Sequence, residues 1–197
     1  MLTSFYDPRL TEAGCDEVGR GCLAGPVVAA AVVFPKVFKD NKLNDSKKLT
    51  EKERNNLRHV IMEQSISYAI GAASPQEIDE INILNASFLA MHRAIDLLKV
   101  VPELLLIDGN RYKPHNTIPY QCIVKGDAKY TAIAAASILA KTYRDKLMRQ
   151  KSLQYPGYGW ETNYGYPTML HRKGIKALGV TPLHRKTFQM LRPTFTD

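Results

Sequence analysis

Asp16, Glu17, Asp108 and Asp127 are the side chains of this sequence whose positions suggest chemistry, because each stands at the end of an expected structural element. Asp108 closes the apolar run Leu104-Leu105-Leu106-Ile107, and in open α/β sheets ligands gather outside the carboxyl ends of strands. Taken alone, Asp108-Gly109 reads as an ordinary turn. Asp127, in Lys125-Gly126-Asp127 ahead of an Ala-rich stretch, is either a helix cap or a ligand. Asp16 and Glu17 are adjacent, and a regular strand would send them to opposite faces, burying one charge at a cost of several kcal/mol. Two arrangements avoid that cost: a turn with both groups solvated, or an irregular strand in which both approach one cationic site. Carboxylates suit hard Mg2+ or Mn2+, and two such ions about 4 Å apart can clamp the attacking and leaving oxygens of a phosphodiester.

Gly19-Arg20-Gly21 follows the acidic pair at once. Its glycines would let the backbone approach a bulky substrate, with Arg20 forking onto a phosphate, although a flexible turn with an exposed arginine has the same sequence. Lys47 and Lys48 precede a capped helix and either meet a phosphate or lie in a solvated loop. Tyr166, between glycine-containing turns, either stacks on a sugar or base or fills a crevice. Cys15, Cys22 and Cys122 form no CxxC pair and no zinc-spaced grouping, so a reducing compartment is expected.

The elements that would position these groups alternate. Gly25–Phe34 reads as a buried strand and 66–72 as its partner, while Thr50/Glu53 and Ser74/Glu77 form capping boxes that start two helices. Ile81, Leu84, Phe88, Met91, Ile95 and Leu98 make one apolar stripe of a long helix ending before Pro102. A strand at 104–107, another at 120–124 and an Ala-rich helix over 132–149 follow, with Lys141, Arg144, Lys146 and Arg149 placed in that helix's last turns, near the negative end of its dipole. Helices are expected after Pro167 and after Thr181-Pro182. The fold class is therefore α/β, a mixed sheet flanked by helices with a C-terminal helical basic subregion over 155–197, all in one domain of 1–197.

Charge bears on partners. The chain carries 27 Lys and Arg against 19 Asp and Glu, a net of +8, and residues 151–197 hold 7 of the basic groups but only 2 acidic ones. Such asymmetry suits a polyanion, since each phosphate neutralised releases condensed counterions. No signal segment and no apolar run near the roughly 20 residues of a membrane span are present, so a cytoplasmic location without membrane contact is expected.

Together these segments resemble the type 2 ribonuclease H family, ribonuclease HII. The resemblance runs from Gly14-Cys15-Asp16-Glu17-Val18-Gly19-Arg20-Gly21 through Asp45-Ser46-Lys47, Leu106-Ile107-Asp108-Gly109 and Lys125-Gly126-Asp127 to Gly165-Tyr166-Pro167-Thr168 and Thr181-Pro182-Leu183-His184-Arg185. It implies a ribonuclease H-like fold and endonucleolytic cleavage of the RNA strand of RNA:DNA hybrids. Cutting 5′ to ribonucleotides embedded in duplex DNA is also implied, with in-line hydrolysis leaving a 3′-hydroxyl and a 5′-phosphate. The cellular roles that follow are ribonucleotide removal from DNA and primer removal. By resemblance Asp16, Glu17, Asp108 and Asp127 are both catalytic and the ligands of Mg2+ or Mn2+. Gly19, Arg20, Gly21, Lys47 and Tyr166 bind substrate, the G-R-G segment reading the ribose 2′-hydroxyl and Tyr166 stacking on deoxyribose, while neither His171 nor His184 serves as a base. Cys15 departs from the family's commoner aliphatic residue, and no C-terminal extension for docking a replication clamp is evident after Phe188. A monomer is expected. Two other readings compete: a non-catalytic hybrid binder, disfavoured by the retention of four acids, and a junction-resolving nuclease, disfavoured by the G-R-G segment.

Overall fold

The structure, a computed structural model, describes residues 2–36, 38, 43 and 49–191. Asp45-Ser46-Lys47-Lys48, and with it the candidate phosphate contact Lys47, lies outside the described residues. Five strands make one sheet: β1 (Glu12–Val18), β2 (Val27–Val33), β3 (Ser67–Ala73), β4 (Leu104–Asp108) and β5 (Tyr120–Ile123), in the order β3-β2-β1-β4-β5. β2 pairs antiparallel with β1 and β3, whereas β4 pairs parallel with β1 and β5. The helices are α1 (Glu51–Gln64), α2 (Pro75–Asp96), α3 (Thr131–Gln154), the four-residue α4 (Trp160–Asn163) and α5 (Met169–Leu178).

Both expected capping boxes form. The Thr50 hydroxyl accepts from the Glu53 N–H and the Ser74 hydroxyl from the Glu77 N–H, with each glutamate reaching back to its cap. Helices cover both sheet faces, which is why β2 is all Val and Ala and buried throughout. Ala13, Cys15, Ala29, Leu105 and Ile107 meet α2, whereas Val28, Ala30 and Val32 meet α1 and α3. At Gly14 the approach is close: an added Cβ would stand 2.2 Å from the Ala132 carbonyl carbon. Strand β1 thus rests directly on the start of α3. Among the described residues no helix is long and apolar enough to cross a membrane.

Three expectations fail for local reasons. The single stripe over 81–98 breaks at Asn82 (φ 66°, ψ 165°), whose Oδ1 accepts from the N–H groups of Leu84 and Asn85 and so caps a second helical segment. The Ala-rich helix continues to Gln154, which leaves Lys141 to Arg149 in its body rather than at its dipole end, with Lys151 as the cation of the last turn. Among the described residues no helix follows Thr181-Pro182. There the carboxylate of Asp79 takes the N–H groups of Lys186 and Thr187, and His184 takes that of Thr181, so the backbone donors go to side chains.

Candidate active site

Strand β1 is regular through the acidic pair, with Asp16 opposite Ala30 and Glu17 opposite Ala29 on β2. The strand is not irregular here: the two side chains leave on opposite faces, Asp16 toward the hydroxyl of Ser137 and Glu17 toward Arg20, and both stay within electrostatic reach of Asp108. Asp16 lies on the α3 side with 6% exposure, takes a hydrogen bond from the Ser137 side chain and accepts from the Glu17 N–H at 2.7 Å. Glu17 lies on the α2 side and accepts from the Arg20 guanidinium at 3.0 Å.

Register brings in the third acid. Cys15 pairs with Ile107 across β1 and β4, so the next residues on both strands, Asp16 and Asp108, are lateral neighbours. Asp108 ends β4, and its Oδ1 accepts from the Gly126 N–H at 2.7 Å. Asp127, one residue beyond that N–H, is buried in the short turn Gly126–Ala128. It does not cap α3, whose N-cap is Tyr130 with no side-chain capping bond. Burial pushes the Asp16 carboxyl well above the ordinary carboxylate range, with Glu17 and Asp108 adding repulsion. Glu17 is raised by burial and by Asp108, against the pull of Arg20. Glu17, Arg20 and Asp108 open onto a cleft of about 360 Å³ whose other walls include Ser87, Phe88, Asn110 and Arg111.

The G-R-G segment, expected as a flexible turn or a substrate loop, is a tightly held loop. Gly19 is buried at φ 90°, and a Cβ there would stand 2.2 Å from Arg144 Nε. The fully buried Arg144 donates to the carbonyls of Pro26, Ala24 and Tyr164, and the equally buried Arg185 to those of Gly25, Arg20 and Gly19. The Leu23 N–H donates to the Gly165 carbonyl, which ties this loop to the one carrying Tyr166. Tyr166 is half-buried, with the Arg144 guanidinium 6.0 Å from its ring centroid. The loop is legible in the sequence, but the role of Ser137 and of the two arginines beneath it is not: by position Arg144 is a dipole-end cation and Arg185 only part of a motif.

His171 and His184 are 0% and 1% exposed. Trp160 Nε1–H donates to His171 Nε2 at 2.9 Å, His171 Nδ1–H to the Tyr166 carbonyl, and the Thr181 N–H to His184 Nδ1. That network assigns the remaining His184 proton to Nε2, 3.2 Å from His171 Nε2, and leaves both rings neutral. Burial and the neighbouring His171 push His184 down to about 4. In the unfolded chain it would titrate near 6.5. Its stabilisation is therefore complete above that value and lost as pH falls from about 6.5 to about 4, by about 3 kcal/mol in all. The melting temperature should fall over this interval, and His184→Gln should flatten the fall.

A mixed sheet in this order, with acids at the ends of neighbouring parallel strands and helices on both faces, defines a ribonuclease H-like nuclease fold. It is similar to the ribonuclease H2 structure from Pyrococcus horikoshii, with TM-score 0.76, 27% identity, and 91% of this chain and 94% of that one covered. It also shares the fold of Bst-RNase HIII, solved in complex with Mn2+, at TM-score 0.71 and 20% identity over 92% of this chain and 68% of that one. In sequence, Ribonuclease HII of Parabacteroides distasonis is 59% identical over 196 residues, covering 100% of this chain and 98% of the relative. The chain belongs to the ribonuclease HII family, matched over residues 13–196, and is accordingly an endonuclease acting on RNA–DNA hybrids.

Proposed function

We propose that this enzyme hydrolyses the RNA strand of hybrids and cuts 5′ to ribonucleotides embedded in duplex DNA, using Asp16, Glu17, Asp108 and Asp127 with Mg2+ or Mn2+. The observation that carries the reading is a gathering of carboxylates, Asp16 and Asp108 on neighbouring parallel strands with Glu17 and the Gly126–Asp127 turn against them, which repel one another beside the exposed Arg20–Gly21 loop. Oxygen-only donors of high negative charge suit a hard divalent cation, and a cation would relieve that repulsion. Among the described residues no three His, Cys, Asp or Glu side chains are gathered for chelation as they stand, because Glu17 is turned to Arg20 and Asp108 holds Gly126. Loading would release Glu17 from Arg20 and free that guanidinium for a phosphate. When bound, the ions would supply Lewis-acid activation at the scissile phosphate.

The chain's own part is positioning. Ser137 and the Glu17 N–H orient Asp16, and the Gly126 N–H orients Asp108. The loop Gly19–Gly21 would read the 2′-hydroxyl, and Tyr166 would pack on the adjacent deoxyribose. Products would carry a 3′-hydroxyl and a 5′-phosphate, consistent with a role in ribonucleotide and primer removal. Gly21→Ala tests the loop cleanly, since its Cβ would meet nothing within 4 Å and the fold should be unchanged. Cleavage of a labelled hybrid by this variant should fall about tenfold or more, the loss of one well-placed polar contact, with the melting temperature unmoved. Undiminished cleavage would sink the loop's assignment.

A further inference from the structure

We infer that Arg185 is a positioning residue for ribose recognition: from beneath the Gly19–Arg20–Gly21 loop it fixes which way two peptide planes face. Its guanidinium is 0% exposed, and the two ends of its fork go to neighbouring carbonyls, Nη1 to Arg20 O at 2.8 Å and Nη2 to Gly19 O at 2.7 Å. A peptide unit is planar, and in its trans form the C=O and N–H point in opposite directions. Holding the carbonyls of Gly19 and Arg20 inward therefore turns the N–H groups of Arg20 and Gly21 outward. Arg20 and Gly21 are exposed, and among the described residues neither N–H meets an acceptor. The next N–H, of Cys22, is turned back onto Gly19 O at 3.4 Å, so the outward pair ends there.

Two adjacent outward donors of fixed direction suit a hydroxyl or phosphate oxygen. Lysine could not replace the arginine, because an ammonium is a point donor and cannot reach both carbonyls in the plane of a fork. Nε of Arg185 also holds Gly25 O at 3.0 Å, which locks the loop's far end to the same side chain. Arg144, by contrast, holds Ala24, Pro26 and Tyr164 and no carbonyl of the tripeptide. The two arginines thus divide the work: Arg144 anchors the loop's return to β2 and the Tyr166 segment, and Arg185 orients the reading peptides.

This inference rests on the proposed 2′-hydroxyl reading, and the test separates the two. Affinities for a duplex with one embedded ribonucleotide and for the all-DNA duplex of the same sequence are measured by fluorescence anisotropy with excess EDTA, which leaves the strand intact and isolates the loop's contribution. The natural chain should prefer the ribonucleotide duplex; equal affinities would overturn the loop reading itself. Arg185→Lys should lose that preference by about tenfold, the worth of a well-placed hydrogen bond, while all-DNA affinity stays within twofold. A parallel loss of both affinities, or a preference kept intact, would overturn the role given to Arg185. Should Arg185→Lys not fold, Arg185→Gln answers the same question, since it removes the buried charge and keeps one amide donor.

Discussion

Asp108→Asn should lower cleavage of a hybrid strand by at least about a thousandfold while the protein stays folded and binds substrate. The substitution keeps the carbonyl oxygen that accepts from the Gly126 N–H, so the link between β4 and the turn before α3 survives. It removes a negative charge from a site whose neighbours are already raised by burial and by one another. Asp16→Asn should do the same to activity, its oxygen still taking the Glu17 N–H. It should also raise the melting temperature in chelator at neutral pH. A carboxyl whose folded value is raised contributes stability only while protonated, and that contribution is lost as pH rises through the folded value, so the charged form weakens the metal-free fold. Cleavage assays with calorimetry in EDTA check both parts. An active Asp108→Asn, or an Asp16→Asn that melts lower than the natural chain in EDTA, would contradict this electrostatic account.

Gly14→Ala should be severely damaging to the fold. Its Cβ would stand 2.2 Å from the carbonyl carbon of Ala132 and 2.4 Å from the N of Ile133, both backbone atoms of α3 that no side-chain rotation can move. Strand and helix must part, which costs about 4 kcal/mol or more and lowers the melting temperature by about 10 °C or more. Activity should fall with it, because the same contact brings Ser137 of α3 to Asp16 of β1. Circular dichroism melts of the variant check this. A melting temperature within about 2 °C of the natural chain would mean that α3 can slide at little cost, against the packing density expected of a core.

What could be read from the sequence was what short range determines. The capping boxes at Thr50 and Ser74 are decided within four residues, the apolar runs of β2 and β4 report burial on both faces, and both helix starts and central strands stand where expected. The ordered motifs located the acids and the G-R-G loop as well. Illegible features depended on distant partners. Arg185 and Arg144 meet carbonyls of the 19–26 segment between 118 and 166 residues away, and nothing near either arginine marks it as buried. Likewise, the regularity of β1 at Asp16-Glu17 could not be read, because the groups that make opposite facing tolerable, Ser137 for Asp16 and Arg20 for Glu17, become apparent only once strand and helix are placed. The break at Asn82 escaped because a short amide that caps a helix inside an apolar stripe leaves the stripe's spacing unchanged.

Cleavage of a labelled duplex carrying one ribonucleotide, beside an all-DNA control, in Mg2+, in Mn2+ and in excess chelator, decides whether the four carboxylates form a metal-dependent ribonucleotide-cutting site. Metal-dependent cutting on the 5′ side of the ribonucleotide is expected, with a 3′-hydroxyl end and an intact control. Cutting that persists in chelator, or equal cutting of the all-DNA control, would contradict it.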